Sequence, residues 1–210
     1  MENIDVIYYI NLDHRIDRNE QLLQELQKMN IPTSKIVRIP GIYTKGFGVL
    51  GCGLSHLKAL ELFMTSDYSN CLILEDDFMF SHDLNHTNLL LEIFFKTMPI
   101  FDVCMLAAII DIPCKDTISP YIKKVIGART ASAYIVSRNF APVLIQLIRD
   151  STKLLDYVKK VTGQKAISYC HDMFWKRLQP QSNWYILNPK LGVQRESYSD
   201  IEECIIDHYA

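Results

Sequence analysis

The chain has 210 residues, of which 49% are hydrophobic and 22% charged, a composition typical of a globular protein with one full core. Its net charge is −2 and its charged residues are scattered, which argues against a protein that binds nucleic acid through a basic surface. The N-terminus lacks a signal peptide pattern, and no apolar run reaches the ~20 residues of a membrane span. We therefore expect a cytoplasmic protein without a transmembrane segment.

The first third of the chain predicts two strands, two helices and an unusual segment between them. Residues 4–12 are nearly continuous in β-branched and aromatic side chains, which predicts a strand buried on both faces, and residues 16–29 follow with helical spacing. Residues 34–39 predict a second strand. Five of the eight glycines fall within residues 38–53, which predicts a loop that closes over a ligand, followed by a helix over residues 54–65.

The rest of the chain continues the alternation of strands and helices. Apolar runs predict strands at the four ranges 71–75, 103–108, 132–136 and 184–187, and the apolar spacing from 140 to 148 predicts an amphipathic helix. This order indicates a single α/β domain over residues 1–210, with helices on both faces of its sheet. Ligands of such sheets bind at the carboxyl ends of the strands.

Six cysteines stand at positions 52, 71, 104, 114, 170 and 204. No pair forms a CxxC motif, and no spacing of cysteine and histidine resembles a zinc site. Cys71 and Cys104 lie within apolar runs, where a free thiol behaves as a small hydrophobic side chain. We expect all six cysteines to be reduced.

Three acids, Glu75, Asp76 and Asp77, follow directly after a predicted buried strand. Adjacent negative charges repel one another, and a divalent cation such as Mg²⁺ or Mn²⁺ would offset the repulsion and neutralise a diphosphate leaving group. Side chains alternate along a strand, so Glu75 and Asp77 share a face. The alternative is that the acids cap the next helix or face solvent.

A polar turn that contains Asp13, Arg15 and Arg18 follows the first predicted strand. The two arginines are three residues apart, so they share a helix face beside the free N–H groups of the helix start, a combination that suits a phosphate. The alternative is a helix capped by Asp13, whose arginines pair with Asp17 and Glu20 at the surface.

These segments together resemble glycosyltransferase family 25, which includes bacterial lipooligosaccharide galactosyltransferases and collagen-type hydroxylysine glycosyltransferases. The resemblance is carried by Asn11-Leu12-Asp13-His14-Arg15 with Asp17-Arg18, by Gly51-Cys52-Gly53-Leu54-Ser55-His56, and by Ile73-Leu74-Glu75-Asp76-Asp77. It continues through residues 130–137, Asp172, Gln194 and residues 199–201, and so covers most of the chain. The sequence departs from the family at Glu75, the first position of the Asp-x-Asp motif, and at His14, which is often Arg in relatives.

The resemblance implies a GT-A type α/β fold, a UDP-sugar donor and Mn²⁺ as the usual metal. It implies that Glu75 and Asp77 bind the metal, with His208 as a further ligand near the C-terminus. Asp76 would touch the ribose or a metal-bound water. The matching motifs imply donor-binding roles for Asn11, Leu12, Arg15, Arg18, Ser55, His56, Asp76 and Gln194.

Members of the family are regarded as inverting, so the enzyme needs a general base for the acceptor hydroxyl. We predict that Asp172 is this base, because it lies among aromatic residues that suit a sugar ring. The alternative, that Asp172 caps a short helix, is compatible with this role.

The sequence therefore predicts metal-dependent transfer of galactose or glucose from a UDP-sugar to a hydroxyl of a glycan or of a glycosylated or hydroxylated protein. The alternative is a non-catalytic descendant that binds a nucleotide sugar or a glycan. A metal-dependent nucleotidyltransferase or phosphohydrolase is disfavoured because the chain lacks a P-loop and lacks a DxD after its first strand. A protein with an interaction role alone would leave three polar motifs at strand ends unexplained.

Overall fold

The computed structural model describes residues 1–199 and 204–206. The helices are α1 (Ile16–Lys28), α2 (Gly48–Met64), α3 (Leu84–Thr97), α4 (Ala141–Thr162) and α5 (His171–Phe174), with short 3₁₀ turns at Thr33–Lys35, Ile167–Tyr169, Trp175–Arg177 and Gln179–Gln181. The strands are β1 (Val6–Asn11), β2 (Ile36–Pro40), β3 (Asn70–Glu75), β4 (Phe78–Phe80), β5 (Val103–Met105), β6 (Ile109–Ile110), β7 (Lys115–Asp116), β8 (Ile122–Lys124), β9 (Ala128–Arg129), β10 (Ala133–Ser137), β11 (Trp184–Leu187), β12 (Gly192–Gln194), β13 (Ser197–Ser199) and β14 (Cys204–Ile206).

An eight-stranded mixed sheet has the order β2-β1-β3-β10-β5-β11-β8-β7. Strands β1, β2 and β3 are mutually parallel, and β5 and β11 are parallel to each other. Strand β10 runs antiparallel between β3 and β5, so its N-terminal end lies beside the carboxyl ends of both. The sheet thereby gathers the ends of β1 and β3 and the start of β10 at one edge, where ligands of α/β sheets bind.

Both faces of the sheet are covered, because successive side chains of a strand point to opposite faces. One buried cluster joins the sheet to α2 and α4 and includes Tyr8, Ile73, Tyr134, Leu60 and Leu144. The other joins the sheet to α1 and α3 and includes Ile7, Leu72, Ile135, Leu22 and Phe94. At the end of β3 the same alternation sends Glu75 toward the α2 face and Asp76 toward the α1 face.

The prediction of a glycine loop over residues 38–53 is wrong over most of its length. Residues 36–40 form β2, and α2 begins at Gly48 rather than at 54. Gly51 and Gly53 lie within α2 because close packing forbids a side chain there: a Cβ on Gly51 would lie 2.2 Å from the carbonyl oxygen of Ile42. Only residues 41–47 remain as a loop, in which Gly46 has a φ of +68°.

The predicted strands and helices are otherwise present with shifted ends, and the helix predicted over 140–148 extends to Thr162 as α4. The sequence analysis missed α3, which begins after Asp83, whose side chain accepts a hydrogen bond from the His86 N–H. Cys71 and Cys104 are buried free thiols of the sheet, as predicted. Among the described residues, none of the helices combines the length and the apolar character needed to cross a membrane.

Candidate active site

A pocket of about 300 Å³ opens at the edge of the sheet where β1 and β3 end and β10 begins. Its wall includes the three acids at the end of β3 and the residues that lead into β10. The loop 41–47, the start of α2, helix α5 and the end of β12 complete it. The pocket therefore collects most of the residues that the sequence analysis singled out, although they lie far apart along the chain.

Asp76 is held by residues that follow β1. Its Oδ1 accepts a hydrogen bond from Arg18 Nη1 at 2.9 Å, and its Oδ2 accepts one from Asn11 Nδ2 at 2.8 Å. Arg38 donates in turn to the side-chain oxygen of Asn11 at 2.8 Å and to Asp13 at 2.8 Å. The side chains of Asn11 and Arg18 thus fix the position of Asp76, and Asp13 pairs with Arg38 instead of capping α1 with its side chain.

Glu75 directs its two oxygens to different sides. Its Oε1 lies 3.0 Å from His56 Nε2 and accepts a hydrogen bond from Cys52 Sγ at 3.2 Å. His56 Nδ1 lies 3.0 Å from the hydroxyl of Tyr134, so the imidazole is held at both nitrogens. His56 is fully buried behind the pocket wall, where it positions Glu75 and does not line the cavity itself.

The other oxygen of Glu75 and one oxygen of Asp77 converge on Gln194. The amide nitrogen of Gln194 lies 3.5 Å from Glu75 Oε2 and 3.5 Å from Asp77 Oδ1. Strand β12 brings it there by pairing with β4, and the Arg195 N–H donates to the backbone oxygen of Asp77 at 2.7 Å. The second Asp77 oxygen accepts a hydrogen bond from Arg18 at 3.2 Å.

The two carboxylates near Gln194 are short of positive charge. Burial, reinforced by the neighbouring Glu75, raises the pKa of Asp77 from 3.8 to about 7 although Arg18 opposes the shift. Burial also raises the pKa of Glu75. Two largely buried carboxylates with this deficit suit a hard divalent cation, which would offset their repulsion and bind the oxygens near Gln194.

Asp172 lies on α5 and lines the same pocket. Its Oδ2 accepts a hydrogen bond from the Thr130 N–H at 3.1 Å. Thr130 has a φ of +81°, a left-handed conformation that is strained for a β-branched residue. Strain of this kind is concentrated at functional sites, and here it sets the backbone that holds Asp172 in the wall of the pocket.

Arg15 and Ser55, both predicted to bind the donor, make contacts within the protein. Arg15 pairs with the exposed Asp17 and does not line the pocket, as the alternative reading of the basic turn describes. Ser55 lines the pocket, but its hydroxyl accepts from the Ile42 N–H and donates to the carbonyl of Gly51, which ties the loop 41–47 to α2.

Leu12, a predicted donor-binding residue, lines the pocket, whereas His208 and Asp200 lie outside the described residues. The sequence analysis overlooked His171, which is buried beside His56 with a ring-centroid distance of 4.6 Å. It also overlooked Arg129, a cation of the pocket wall that pairs with Asp111. Each overlooked residue directly precedes one that the sequence analysis had singled out: His171 precedes Asp172, and Arg129 precedes Thr130. This adjacency was the signal that could have identified them.

Burial lowers the pKa of His56 to about 4, and burial together with the adjacent His56 lowers the pKa of His171 to about 4. Both imidazoles are therefore neutral near pH 7. Burial also raises the pKa of the Cys52 thiol, and the nearby Glu75 carboxylate adds to the effect. Neither His56 on α2 nor His171 on α5 therefore supplies a positive charge that would balance Glu75.

The chain is similar to known proteins in its sequence and in its fold. The sequence model of a family described as "Glycosyltransferase family 25 (LPS biosynthesis protein)" matches residues 43–159. The matched range contains the loop 41–47 in part, all of α2 and the acids at the end of β3. No curated protein sequence matches the chain.

Two solved structures resemble the chain over nearly their whole length. One is a glycosyltransferase involved in the glycosylation of the major capsid of PBCV-1, with 9% identity, a TM-score of 0.52, and coverage of 97% of this chain and 92% of that chain. The other is A197 from STIV, with 14% identity, a TM-score of 0.51, and coverage of 99% and 97%. At these identities the likeness concerns the fold, and it confirms the predicted GT-A type α/β architecture.

Proposed function

The chain belongs to glycosyltransferase family 25, and from that premise we propose that it transfers galactose or glucose from a UDP-sugar to a hydroxyl group. The acceptor in this proposal is a glycan or a glycosylated or hydroxylated protein. The observation that carries the proposal is the convergence of Glu75, Asp77 and Asp172 on one pocket at the carboxyl edge of the sheet.

In this proposal Glu75 and Asp77 hold Mn²⁺ or Mg²⁺ through the oxygens that face Gln194. The cation would neutralise charge on the departing diphosphate. Arg18 occupies one oxygen of Asp77 and one of Asp76, and it fixes both carboxylates while leaving Asp77 Oδ1 turned toward Gln194. Both oxygens of Asp76 already accept hydrogen bonds, and in this proposal its carboxylate contacts the ribose from the pocket wall.

Asp172 is the proposed general base. Its carboxylate takes the proton of the acceptor hydroxyl, the acceptor oxygen bonds to the anomeric carbon, and the bond from that carbon to the diphosphate oxygen breaks. UDP leaves with the electron pair of that bond, and the single displacement inverts the anomeric carbon. The hydrogen bond from the Thr130 N–H keeps Asp172 turned to the pocket while it acts.

The rest of the proposed binding site for the donor consists of Leu12, Ser55 and the loop 41–47. Leu12 and Tyr43 supply apolar surface for the nucleoside, and Ser55 holds the loop against α2. Gly46, at a positive φ with open space around it, lies where the loop bends. A loop seated on the donor excludes water and so protects the sugar nucleotide from hydrolysis.

The first experiment is UDP release from a panel of UDP-sugars, with Mn²⁺ or with EDTA, in the absence of acceptor. We expect one UDP-hexose to be hydrolysed slowly with the metal and not with EDTA, which identifies the donor as well as the class of enzyme. The Asp77→Asn variant serves as a control and should lose the metal-dependent release. Equal release with EDTA would contradict the metal assignment.

A non-catalytic protein that binds a nucleotide sugar is the second candidate. It is favoured by one observation: Arg18, Asn11, His56 and Cys52 already occupy most of the carboxylate oxygens of the motif. The two candidates separate in a titration calorimetry experiment with UDP followed by transfer assays on a panel of glycan acceptors. Tight UDP binding without transfer to any acceptor or to water would favour the binding protein.

A further inference from the structure

A group of soft and borderline metal ligands lies behind the carboxylates of the pocket. Cys52, His56 and His171 each offer one ligand atom, and the three atoms all lie within 4.8 Å of one another. Cys52 and His56 are four residues apart on α2 and so share a helix face, and His171 reaches them from α5. Spacing alone gave no zinc motif, because the third residue comes from a different part of the chain.

One ring nitrogen of this group has no hydrogen-bond partner within the part of the chain that the structure describes. His171 is 4% exposed, and among the described residues its Nε2 has no hydrogen-bond partner. A buried polar nitrogen without a partner destabilises the folded protein, because the hydrogen bond to water that it loses on burial is not replaced. A metal ion that accepts this nitrogen as a ligand would remove the cost.

A fourth ligand is already in place. Glu75 Oε1 lies 3.2 Å from Cys52 Sγ and 3.0 Å from His56 Nε2, slightly less than the roughly 3.3–3.6 Å between two ligands of one tetrahedral ion. The second oxygen of Glu75 faces Asp77 and Gln194 instead, so the two sites use different oxygens of the carboxylate.

The surroundings also support a ligand role for His56. The hydroxyl of Tyr134, 3.0 Å from Nδ1, can accept a hydrogen bond from a proton on that nitrogen, which leaves the lone pair of Nε2 free to bind a metal. Metal-bound histidines commonly donate their other N–H to such a partner. Cys52 and His171 line the pocket, which gives an ion a route to the group from solvent.

We propose that Cys52, His56, His171 and Glu75 Oε1 form a metal site for a borderline-soft divalent ion of the zinc class. Binding releases the thiol proton of Cys52 to solvent and forms a metal–thiolate bond, with neutral histidine nitrogens and one carboxylate oxygen as the other ligands. The site is separate from the hard-cation position at Asp77, and it does not depend on the transfer reaction proposed above.

Cobalt(II) titration of the reduced protein tests this site, because Co²⁺ replaces Zn²⁺ in tetrahedral sites and its thiolate bond absorbs in the near ultraviolet. We expect one Co²⁺ per chain with a thiolate band and tetrahedral visible bands, and full displacement by Zn²⁺. Cys52→Ser should remove the thiolate band and weaken binding on the order of 100-fold or more, and Tyr134→Phe should weaken it on the order of 10-fold.

Three matched variants complete the experiment. Cys114→Ser changes a half-buried cysteine elsewhere, His86→Ala removes a ring of the surface pair His82–His86, and Asp77→Asn removes the hard-cation position. All three should keep the band. The proposal would be overturned if the wild type showed no thiolate band, if the band survived in Cys52→Ser, or if it disappeared in Cys114→Ser. None of these three results bears on UDP-sugar transfer.

Discussion

On the α1 side of the pocket, Asn11 and Arg18 each donate a hydrogen bond to Asp76, whereas on the α2 and α5 side the largely buried Glu75 and the buried His171 have weaker compensation. Asp76 has an arginine on one oxygen and an amide on the other. Glu75 instead meets neutral imidazoles and a thiol, and its pKa is raised by burial. The electrostatic cost of removing a carboxylate from water is therefore lower for Asp76 on the α1 side than for Glu75 on the α2 side.

This difference separates the parts of the site that hold the structure from those that are suited to a ligand. A carboxylate whose two oxygens both accept hydrogen bonds, as those of Asp76 do, is held in place and gains little from a further partner. Buried charges without enough partners are costly in the free protein, and a bound cation or substrate relieves that cost. We therefore expect substitutions on the α1 side to act mainly on stability, and those near Asp172 and Asp77 to act mainly on ligands.

The largest effect is expected at Asp172. Asp172→Asn keeps an oxygen for the Thr130 N–H but removes the base, so kcat for transfer should fall by about 10²–10⁴. UDP affinity, measured by titration calorimetry, should stay unchanged because the proposed donor contacts are elsewhere. Asp156→Asn, at an exposed ion pair of α4, is the control, and a similar loss of kcat in it would contradict the assignment.

Arg18 should have the largest effect on stability. Arg18→Ala leaves Asp76 and Asp77 buried without their cation, which typically costs about 3–5 kcal/mol. Asp17→Asn weakens the ion pair with Arg15 at the surface, where the side chain of Asp17 is 60% exposed, and should cost about 1 kcal/mol or less. Urea denaturation of both variants without metal measures the contrast, and equal losses would show that Arg18 is not the key cation of the acid cluster.

The pH dependence of Asp77→Asn sharpens the comparison. Asp77 has a folded pKa of about 7 against 3.8, so its contribution to stability is full below pH 3.8 and is lost as the pH rises toward 7. The Asn variant loses no proton there, so in EDTA it should be more stable than the wild type by about 2–4 kcal/mol at pH 8 and by little at pH 4.

Urea denaturation at the two pH values measures this difference. The titration of His56 and His171 affects wild type and variant alike, so it cancels in the comparison. A difference in stability that does not change with pH would mean that the folded protein does not raise the pKa of Asp77.

The smallest effect is expected at Ser55. Ser55→Ala removes the two hydrogen bonds that join α2 to the loop 41–47, at a cost of about 1–3 kcal/mol for the buried Gly51 carbonyl and the Ile42 N–H. If Ser55 acts through the loop, added UDP should raise the melting temperature of the variant and the wild type by similar amounts. A variant that no longer responds to UDP would instead indicate direct contact with the donor.

Much of the fold could be predicted because the sheet is formed from short, nearly continuous apolar runs. The runs that became β1, β3, β10 and β11 are buried on both faces, and such strands stand out in the sequence without knowledge of their neighbours. The acids at positions 75–77 were recognisable for the same reason, since they interrupt one of these runs where the strand ends. Helix α3 and the short strands lacked a comparably strong local signal.

The start of α2 was mispredicted because glycine has two different uses. In the loop 41–47, Gly46 supplies a positive φ, whereas Gly51 and Gly53 allow α2 to pack against the loop and against α4. Sequence shows that a side chain is absent but not which neighbour requires its absence. Contacts between distant segments decided the boundary.

The sequence by itself determined that three acids follow a buried strand and, through the alternation along β3, that Glu75 and Asp76 point to opposite faces. Only the tertiary structure decided their partners: Arg18 and Asn11 for Asp76, and His56 and Cys52 for Glu75. The physical reason is that side-chain direction follows from local backbone periodicity, whereas charge balance depends on which distant segments pack nearby. The group of Cys52, His56 and His171 likewise forms only because α5 packs against α2 in the folded chain.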